Sequence, residues 1–250
     1  MVSFAALKAA VPPRYKQAAR HAYRRVAGLT SAGSAVCCPC CGREYGHFVR
    51  FHGEHDQCPG CGSLMRHRAL LLLLRDHYGI EARRERVLHV GPGPAVSSWL
   101  ERREGLDYVT GDIDSPLAQV QMDATQMPFQ DESFGFAICV HVLEHIPDDR
   151  KAMSEFFRVL KPGGEAVFQV PPSDLATTRE DATVTDPHER ELLFGQYDHV
   201  RLCGADYPDR IRGAGFQVTR LDYAAHLDES MRSRYGLRTG EPFDLCVKPG

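Results

Sequence analysis

The chain has 250 residues, 43% hydrophobic and 25% charged, with a formal net charge of −3 at pH 7. This composition is ordinary for a globular protein, and the length allows one large core with a small additional module. No stretch approaches the ~20 consecutive apolar residues of a membrane-spanning helix, which excludes that class. With nine cysteines and no export signal, we expect a reducing cytoplasmic setting, where paired cysteines bind metal more often than they form disulfides.

Residues 1–36 are predicted to form a basic N-terminal helix and a linker. Apolar residues recur at spacings of three and four over 13–26, which predicts a helix whose other face is basic. One interpretation is a solvated helix packed on the main domain, and the other is weak contact with an anionic surface of lipid or RNA. Residues 28–35 have the glycine and serine content of a flexible linker.

Residues 37–62 are predicted to form a zinc-ribbon-like module. The stretches CCPCCG (37–42) and CPGCG (58–62) each contain a Cys-x-x-Cys motif followed by glycine, which is typical of a structural Zn²⁺ site. Aligning the two stretches selects four metal ligands, Cys38 with Cys41 and Cys58 with Cys61. The alternative frame, Cys37 with Cys40, has the same spacing and stays open at this point.

Strands and helices alternate after a connecting segment at 63–85, which begins with a helix predicted from Ser63 to Tyr78. This alternation over 86–250 predicts right-handed βαβ units and an α/β fold with a mostly parallel sheet. The predicted strands are 87–90, 107–111, 134–140, 165–170, 216–223 and 243–248, and the predicted helices are 94–103, 148–160 and 206–213.

Three loops carry the residue types of a nucleoside-binding cleft. VLHVGPG (87–93) is a strand that ends in a Gly-x-Gly turn, where backbone turns tightly and a ligand approaches closely. The next strand ends at Asp112, an acid placed to accept ribose hydroxyls. Asp123 follows in MDATQ and is expected at the rim of the same cleft. Each signal is weak alone, and their order along the chain is specific.

That order resembles the class I S-adenosylmethionine-dependent methyltransferases, and in particular the methyltransferase type 11 group. The segments that carry the resemblance are VLHVGPG, TGDID, MDATQMPFQDESFGFAICVHVLEHI, RVLKPGGEAVFQVP and AGFQV, within residues 86 to about 225. The resemblance implies a Rossmann-like, seven-stranded, mostly parallel sheet that binds S-adenosylmethionine. The cysteine module followed by SLMRHR (63–68) is similar to a subgroup with an N-terminal zinc module.

The resemblance also implies positions around the cofactor. His89 stands where the family usually has an acid that anchors the amino end of the cofactor. Asp112 is expected at the ribose, with Asp114 as its rival. The remaining expected contacts are Gly91 and Gly93 at the methionine part, Asp123 and Ala124 at the adenine, and His141 beside the transferred methyl group.

Candidate catalytic and acceptor-binding residues follow from the chemistry of methyl transfer. The nucleophile must lie ~3 Å from the methyl group, and a base is needed only when the nucleophile keeps a proton that must leave. The candidates for catalysis are His141, His145 and His199. The candidates for substrate binding are Arg66, His67, Tyr197, Asp198 and Arg201.

These observations lead to three hypotheses about function. The first is methyl transfer to a hydroxyl or amine of a small molecule or a sugar or glycan-type acceptor. The second is a ribosomal or transfer RNA base methyltransferase whose zinc module binds RNA, which the basic N-terminal residues favour but the net acidity of the chain disfavours. The third is a non-catalytic zinc interaction module on a methyltransferase fold. The sequence gives no prediction of oligomeric state.

Overall fold

The structure is a computed structural model that describes residues 28, 30–51, 55–116 and 118–250. The chain is divided into two compact units. The first unit lies within Met1–Leu72 and Asp228–Leu237, and the second lies within Leu73–Leu227 and Arg238–Gly250. The division falls inside the predicted connecting helix. The basic helix predicted at 13–26 lies outside the described residues.

The six predicted strands are all present, and the structure also describes seven short strands that were not predicted. In the first unit the strands are β1 (Val36–Cys37), β2 (Glu44–Tyr45), β3 (Val49–Phe51) and β4 (His55–Gln57). In the second unit they are β5 (Arg86–Val90), β6 (Asp107–Asp112), β7 (Val120–Gln121), β8 (Phe134–Val140), β9 (Leu160–Gln169), β10 (Arg179–Glu180), β11 (Arg201–Leu202), β12 (Gln217–Leu221) and β13 (Phe243–Val247).

The helices include two that the sequence patterns did not predict, α4 and α6. The α-helices are α1 (Met65–Leu72), α2 (Pro94–Leu100), α3 (Asp149–Val159), α4 (Pro187–Phe194), α5 (Tyr207–Gly213) and α6 (Glu229–Tyr235). A π-helical turn covers Leu73–His77, and 3-10 turns cover Ile80–Ala82, Leu143–His145 and Tyr223–His226. Helix α4 begins with a proline after Asp186, whose side chain accepts hydrogen bonds from the amides of His188 and Glu189.

The first unit contains two antiparallel strand pairs, β1 with β2 and β3 with β4, together with α1 and α6. Arg68 of α1 is fully buried and stacks on Phe48, with its guanidinium carbon 3.9 Å from the ring centroid. It donates to the carbonyls of Tyr235, Gly236 and Ser63 at 2.7, 2.9 and 3.0 Å. This one side chain therefore joins the cysteine-rich region to residues 228–237, more than 150 positions later.

The second unit is built on a seven-stranded sheet with the order β12-β13-β9-β8-β5-β6-β7. Strands β5 to β9 pair in parallel, and β13 runs antiparallel to both of its neighbours. The predicted α/β fold with a mostly parallel, seven-stranded sheet is confirmed. A long run of buried side chains, among them Leu88, Phe134 and Phe156, forms the core.

The sheet topology places the ends of three strands together. The chain passes from β5 outward to β6 and β7 and then returns to β8 on the other side of β5. Ligands of open α/β sheets bind at such a reversal, outside the carboxyl ends of the strands. The loops that follow β5, β6 and β8 therefore meet at one edge.

Helix α3 packs one apolar face on this sheet. Its buried residues Met153 and Phe156 recur at the spacing of one helical face, and Phe156 meets Phe168 of β9 edge to face at 5.0 Å. Asp148 caps the helix by accepting a hydrogen bond from the amide of Lys151. This cap fixes the start of α3 at the same edge of the sheet.

Among the helices that the structure describes, none has the length and apolar content required to cross a membrane.

We predict that Arg68→Ala lowers the free energy of unfolding of the first unit by about 3 kcal/mol. The substitution leaves buried carbonyl groups without their charged donor and removes the contact with Phe48. Urea unfolding measures the change, and Arg50→Ala is the matched control because Arg50 is exposed in the same unit. Equal midpoints for the two variants would show that Arg68 does not hold the unit together.

Candidate functional site

The turn after β5 requires a glycine. Gly91 has φ +67°, and a β-carbon there would lie 2.4 Å from Cγ2 of Val142. Its amide donates to the carbonyl of Gly111 at 3.0 Å, which fixes the turn against β6. Gly93 is the N-cap residue of α2. The predicted Gly-x-Gly turn is therefore present, and it is packed against the loop that follows β8.

The loop after β6 holds one carboxylate in a fixed orientation. Asp112 Oδ1 accepts hydrogen bonds from the amides of Asp114 and Ser115 at 2.9 and 2.7 Å. Asp112 lines a cavity at the sheet edge, while Asp114 is exposed. Of the two candidates for the ribose contact, Asp112 is the one that lines the cavity.

The loop after β7 contributes a second carboxylate. Asp123 Oδ1 accepts a hydrogen bond from the amide of Thr125 at 2.8 Å, and this bond lowers the pKa of Asp123 below its ordinary value. Ala124 is buried beside it. The ionised form of Asp123 is thus favoured, as a hydrogen-bond acceptor at the rim of a ligand site requires.

These loops enclose a cavity of about 360 Å³, within the range of small-molecule sites. Predicted site residues among its lining are Asp112, Asp123, Ala124 and His145. The sequence patterns missed its apolar wall. That wall includes Ile113, 60% exposed, together with Met122 and Val142. The signal in the sequence that could have revealed this wall is the apolar residue Ile113 directly after the predicted acid Asp112.

The loop after β8 brings a buried carboxylate beside two histidines. Glu144 is 1% exposed, and its Oε1 lies 3.6 Å from His141 Nδ1 and 3.8 Å from His145 Nε2. His141 has φ +55°, a left-handed conformation that is uncommon outside glycine. Its amide donates to the carbonyl of Gln169 at 2.8 Å. Backbone strain of this kind is concentrated at functional sites.

His199 joins this cluster from the segment before β11. Its ring centroid lies 4.7 Å from that of His145, and its Nδ1 lies 3.1 Å from the carbonyl oxygen of Phe194. Burial lowers the pKa of His199 below its ordinary value. His145 Nδ1 is 3.5 Å from Asp198 Oδ2. The three histidines predicted to be catalytic are therefore brought together around Glu144.

The prediction that Arg201 binds substrate requires correction. Its side chain is 2% exposed, and it donates to the carbonyls of Leu143, Ile146 and Pro147 at 2.7, 2.6 and 2.8 Å and to Glu180 at 3.0 Å. These bonds use all three guanidinium nitrogens. Arg201 instead positions the loop that carries Glu144 and His145.

The prediction that His89 contacts the cofactor also requires correction. His89 is 2% exposed, and its Nδ1 lies 2.7 Å from the hydroxyl of Tyr108, which donates to Ser97 at 3.1 Å. Burial lowers the pKa of His89 to about 4. Along β5 it alternates with Val90, which lines the cavity, so its side chain lies on the other face. It is a neutral core residue.

The remaining predicted substrate residues occupy two places. Arg66 and His67 lie in the first turn of α1, where His67 Nδ1 accepts a hydrogen bond from the amide of Leu64 at 3.1 Å. Tyr197 is 59% exposed and follows α4, next to Asp198. Of these four, Asp198 contacts the histidine cluster.

Four cysteine sulfurs of the first unit converge within 4.8 Å of one another, those of Cys38, Cys41, Cys58 and Cys61. Tetrahedral Zn²⁺ with bonds of ~2.3 Å places its sulfurs about 3.8 Å apart. The distances here are 3.6 Å from Cys38 to Cys61 and 3.8 Å from Cys41 to Cys58. The donor set and spacing therefore fit zinc. Cys40 is not one of these four, and its sulfur lies 3.6 Å from the carbonyl oxygen of His67.

Comparisons with known proteins identify sequences and a structure that resemble this chain. The family model described as "Methyltransferase domain" matches residues 59–168. An uncharacterized methyltransferase of Mycobacterium sp. (strain KMS) is 36% identical over 93 residues, which cover 33% of this chain and 37% of that protein. Demethylmenaquinone methyltransferase of Clavibacter sepedonicus is 32% identical over 160 residues, covering 53% of this chain and 65% of that protein.

A solved structure also resembles the chain, that of phosphoethanolamine N-methyltransferase 2 of Haemonchus contortus with S-adenosyl-L-methionine. It covers 73% of this chain and 52% of that chain, with 16% identity and a TM-score of 0.49. The chain spans 37% and 65% of the lengths of the two relatives named above. The chain is therefore similar to a methyltransferase domain over residues 59–168.

We predict that His89 makes stability fall as the pH falls. The folded state keeps a pKa of about 4, while the unfolded chain has a pKa of ~6.5 and so binds a proton first on acidification. Between pH 7.5 and 5, His89→Gln should lose about 2 kcal/mol less unfolding free energy than the parent protein. Urea unfolding at both pH values measures this difference.

The control for this experiment is His226→Gln, because His226 is exposed. It should show the same loss as the parent protein. If His89→Gln loses as much stability as the parent, His89 is not held neutral by the fold.

Proposed function

We propose that this chain is an S-adenosylmethionine-dependent methyltransferase that acts on a hydroxyl or amine of a small-molecule or glycan-type acceptor. The observation that carries the proposal is the cavity at the sheet edge, which two oriented carboxylates line and whose residue Val142 packs against the glycine turn. The matched relatives include proteins named for demethylmenaquinone and sterol methylation, which supports a small-molecule acceptor.

The cavity residues suit the parts of the proposed cofactor. Asp112 is held through Oδ1 and is proposed to accept the ribose hydroxyls. Asp123 and Ala124 flank the proposed adenine position, with Ile113 and Met122 as apolar contacts for the ring. Gly91, which packs against the cavity residue Val142, and Gly93 are proposed to contact the methionine part. The cofactor supplies an electrophilic methyl group on a sulfonium sulfur, whose departure needs no acid.

The histidine cluster is proposed to bind the acceptor. The protein must hold the nucleophile on the axis of the methyl–sulfur bond, because positioning provides most of the acceleration in such a displacement. His145 lines the cavity and contacts Glu144 and His199. His141, His145 and His199 are the groups that we propose to orient an acceptor hydroxyl and assist the loss of its proton. Tyr197 and Asp198 are proposed to contact the rest of the acceptor.

We also propose that the cysteine cluster binds one structural Zn²⁺ ion. Its four sulfurs form a closed set of ligands, which is typical of structural sites. Hydrogen bonding from Cys40, and then from Cys41 and Cys58, lowers the pKa of Cys38 below its ordinary value. Zinc would therefore stabilise the fold of the first unit.

We predict that Asp112→Ala weakens S-adenosylmethionine binding at least about tenfold, because charged hydrogen bonds to the ribose are lost. Isothermal titration calorimetry measures the affinity. Asp114→Ala is the matched control, since Asp114 is exposed on the same loop, and it should bind within about twofold of the parent protein. A parent protein that does not bind S-adenosylmethionine would contradict the proposed function itself.

We predict that Cys38→Ser reduces the zinc content from about one ion per chain to near zero, because one of four ligands is lost. Cys37→Ser is the matched control from the alternative frame and should retain zinc. Elemental analysis of the purified proteins by mass spectrometry measures the content. Full zinc in Cys38→Ser, or loss in Cys37→Ser alone, would support the other frame.

A further inference from the structure

The cluster beside the cavity contains a second set of metal-ligand side chains. Glu144, His145 and His199 each place a ligand atom within 4.8 Å of the others. Glu144 and His145 come from the 3-10 turn after β8, and His199 comes from the loop before β11. Two imidazoles and a carboxylate are the donor set of non-haem metal centres with open coordination positions.

The orientation of the two imidazoles is that of metal ligands. His199 Nδ1 lies 3.1 Å from the carbonyl oxygen of Phe194, which only accepts hydrogen bonds. His145 Nδ1 lies 3.3 Å from the carbonyl oxygen of Asp198. A proton on each Nδ1 would serve these carbonyl oxygens and leave each Nε2 able to bind a metal ion. Metal-binding histidines are typically oriented by such a bond from the other ring nitrogen.

The charge of the cluster favours a cation. Glu144 is 1% exposed, and His145 Nε2 lies 3.8 Å from its Oε1. When Glu144 is ionised and both imidazoles are neutral, these three side chains carry one negative charge. A buried carboxylate is costly unless a positive charge or hydrogen bonds compensate it. A divalent ion held by the three ligand atoms would add positive charge beside this carboxylate, which already lies 3.6 Å from His141 Nδ1 and 3.8 Å from His145 Nε2.

We propose that Glu144, His145 and His199 bind one divalent ion of the Mn²⁺ or Fe²⁺ type. Bonds of ~2.1 Å place neighbouring ligand atoms about 3 Å apart, so closure requires side-chain movements of about 1 Å. Three protein ligands leave positions open for water or substrate. Because His145 lines the cavity, an ion bound by it would lie beside the proposed methyl-transfer site.

The proposed metal site restricts the class of methyl acceptor. This inference rests on the proposed function. A divalent ion binds a hydroxyl oxygen and lowers its pKa, so that the proton passes to solvent water. A lone pair of that oxygen forms the new O–CH₃ bond, and the pair of the broken S–CH₃ bond stays on sulfur. His145 and His199 then act as ligands and not as bases. The favoured acceptor is therefore a hydroxyl.

Titration with Mn²⁺ alone tests the site, using the full chain with its cysteine cluster intact. Mn²⁺ suits oxygen and imidazole ligands, whereas thiolates select softer ions such as zinc. Electron paramagnetic resonance measures free Mn²⁺, and the expected result is about one bound ion per chain. Glu144→Gln and His199→Gln should each weaken binding at least about tenfold.

Matched controls come from exposed residues of the same unit. Glu189→Gln and His226→Gln should bind Mn²⁺ as the parent protein does. If Glu144→Gln fails to fold, His145→Gln replaces it, because the His145 side chain is 30% exposed and tolerates substitution better. Circular dichroism establishes that each variant is folded.

The outcomes separate this proposal from the proposed function. Saturable Mn²⁺ binding that the cluster variants lose supports the metal site. No Mn²⁺ binding by a parent protein that binds S-adenosylmethionine overturns the metal site and leaves the methyltransferase proposal standing. Equal Mn²⁺ affinity in the parent and the cluster variants also overturns it. Mn²⁺ binding without S-adenosylmethionine binding supports the metal site and contradicts the proposed function.

Discussion

The position of β5 between β6 and β8 is the constraint on which the site depends. Parallel pairing on both sides of β5 brings the ends of three strands to one edge, although their loops are 20 to 50 residues apart in the chain. Gly91 then packs against Val142, and Asp112 and His145 face one cavity. No single loop forms the site alone. The sheet brings the three loops to the same edge.

Buried arginines stabilise the irregular segments of both units. Arg68 binds carbonyl groups in the first unit, and Arg201 binds three carbonyls of the loop after β8. The guanidinium group has five donors in a rigid plane, so one side chain satisfies several backbone acceptors that no regular element pairs. The conformation of the loop with Glu144 therefore depends on a residue more than fifty positions later.

The sequence predicts the strands and the order of loops well, because apolar runs ending in glycine or acid carry a local signal. It predicts Asp112 and Asp123 for the same reason. The misassigned residues, His89 and Arg201, look like site residues by type, and only the packing of Tyr108 and of the 143–147 loop shows that they are structural. Helix α4 has a weak apolar pattern, so its proline start and Asp186 cap were the only local evidence.

The contribution of residues 228–237 to the first unit has a consequence for synthesis. The cysteine module emerges from the ribosome early. At that point Tyr235 and Gly236, whose carbonyls accept hydrogen bonds from Arg68, have not been synthesised. Domains generally fold as units from the N-terminus during translation. Here the first unit is completed almost last, after every strand of the seven-stranded sheet except β13 has been synthesised. A cluster able to hold zinc from the start would keep the nascent module compact during that interval.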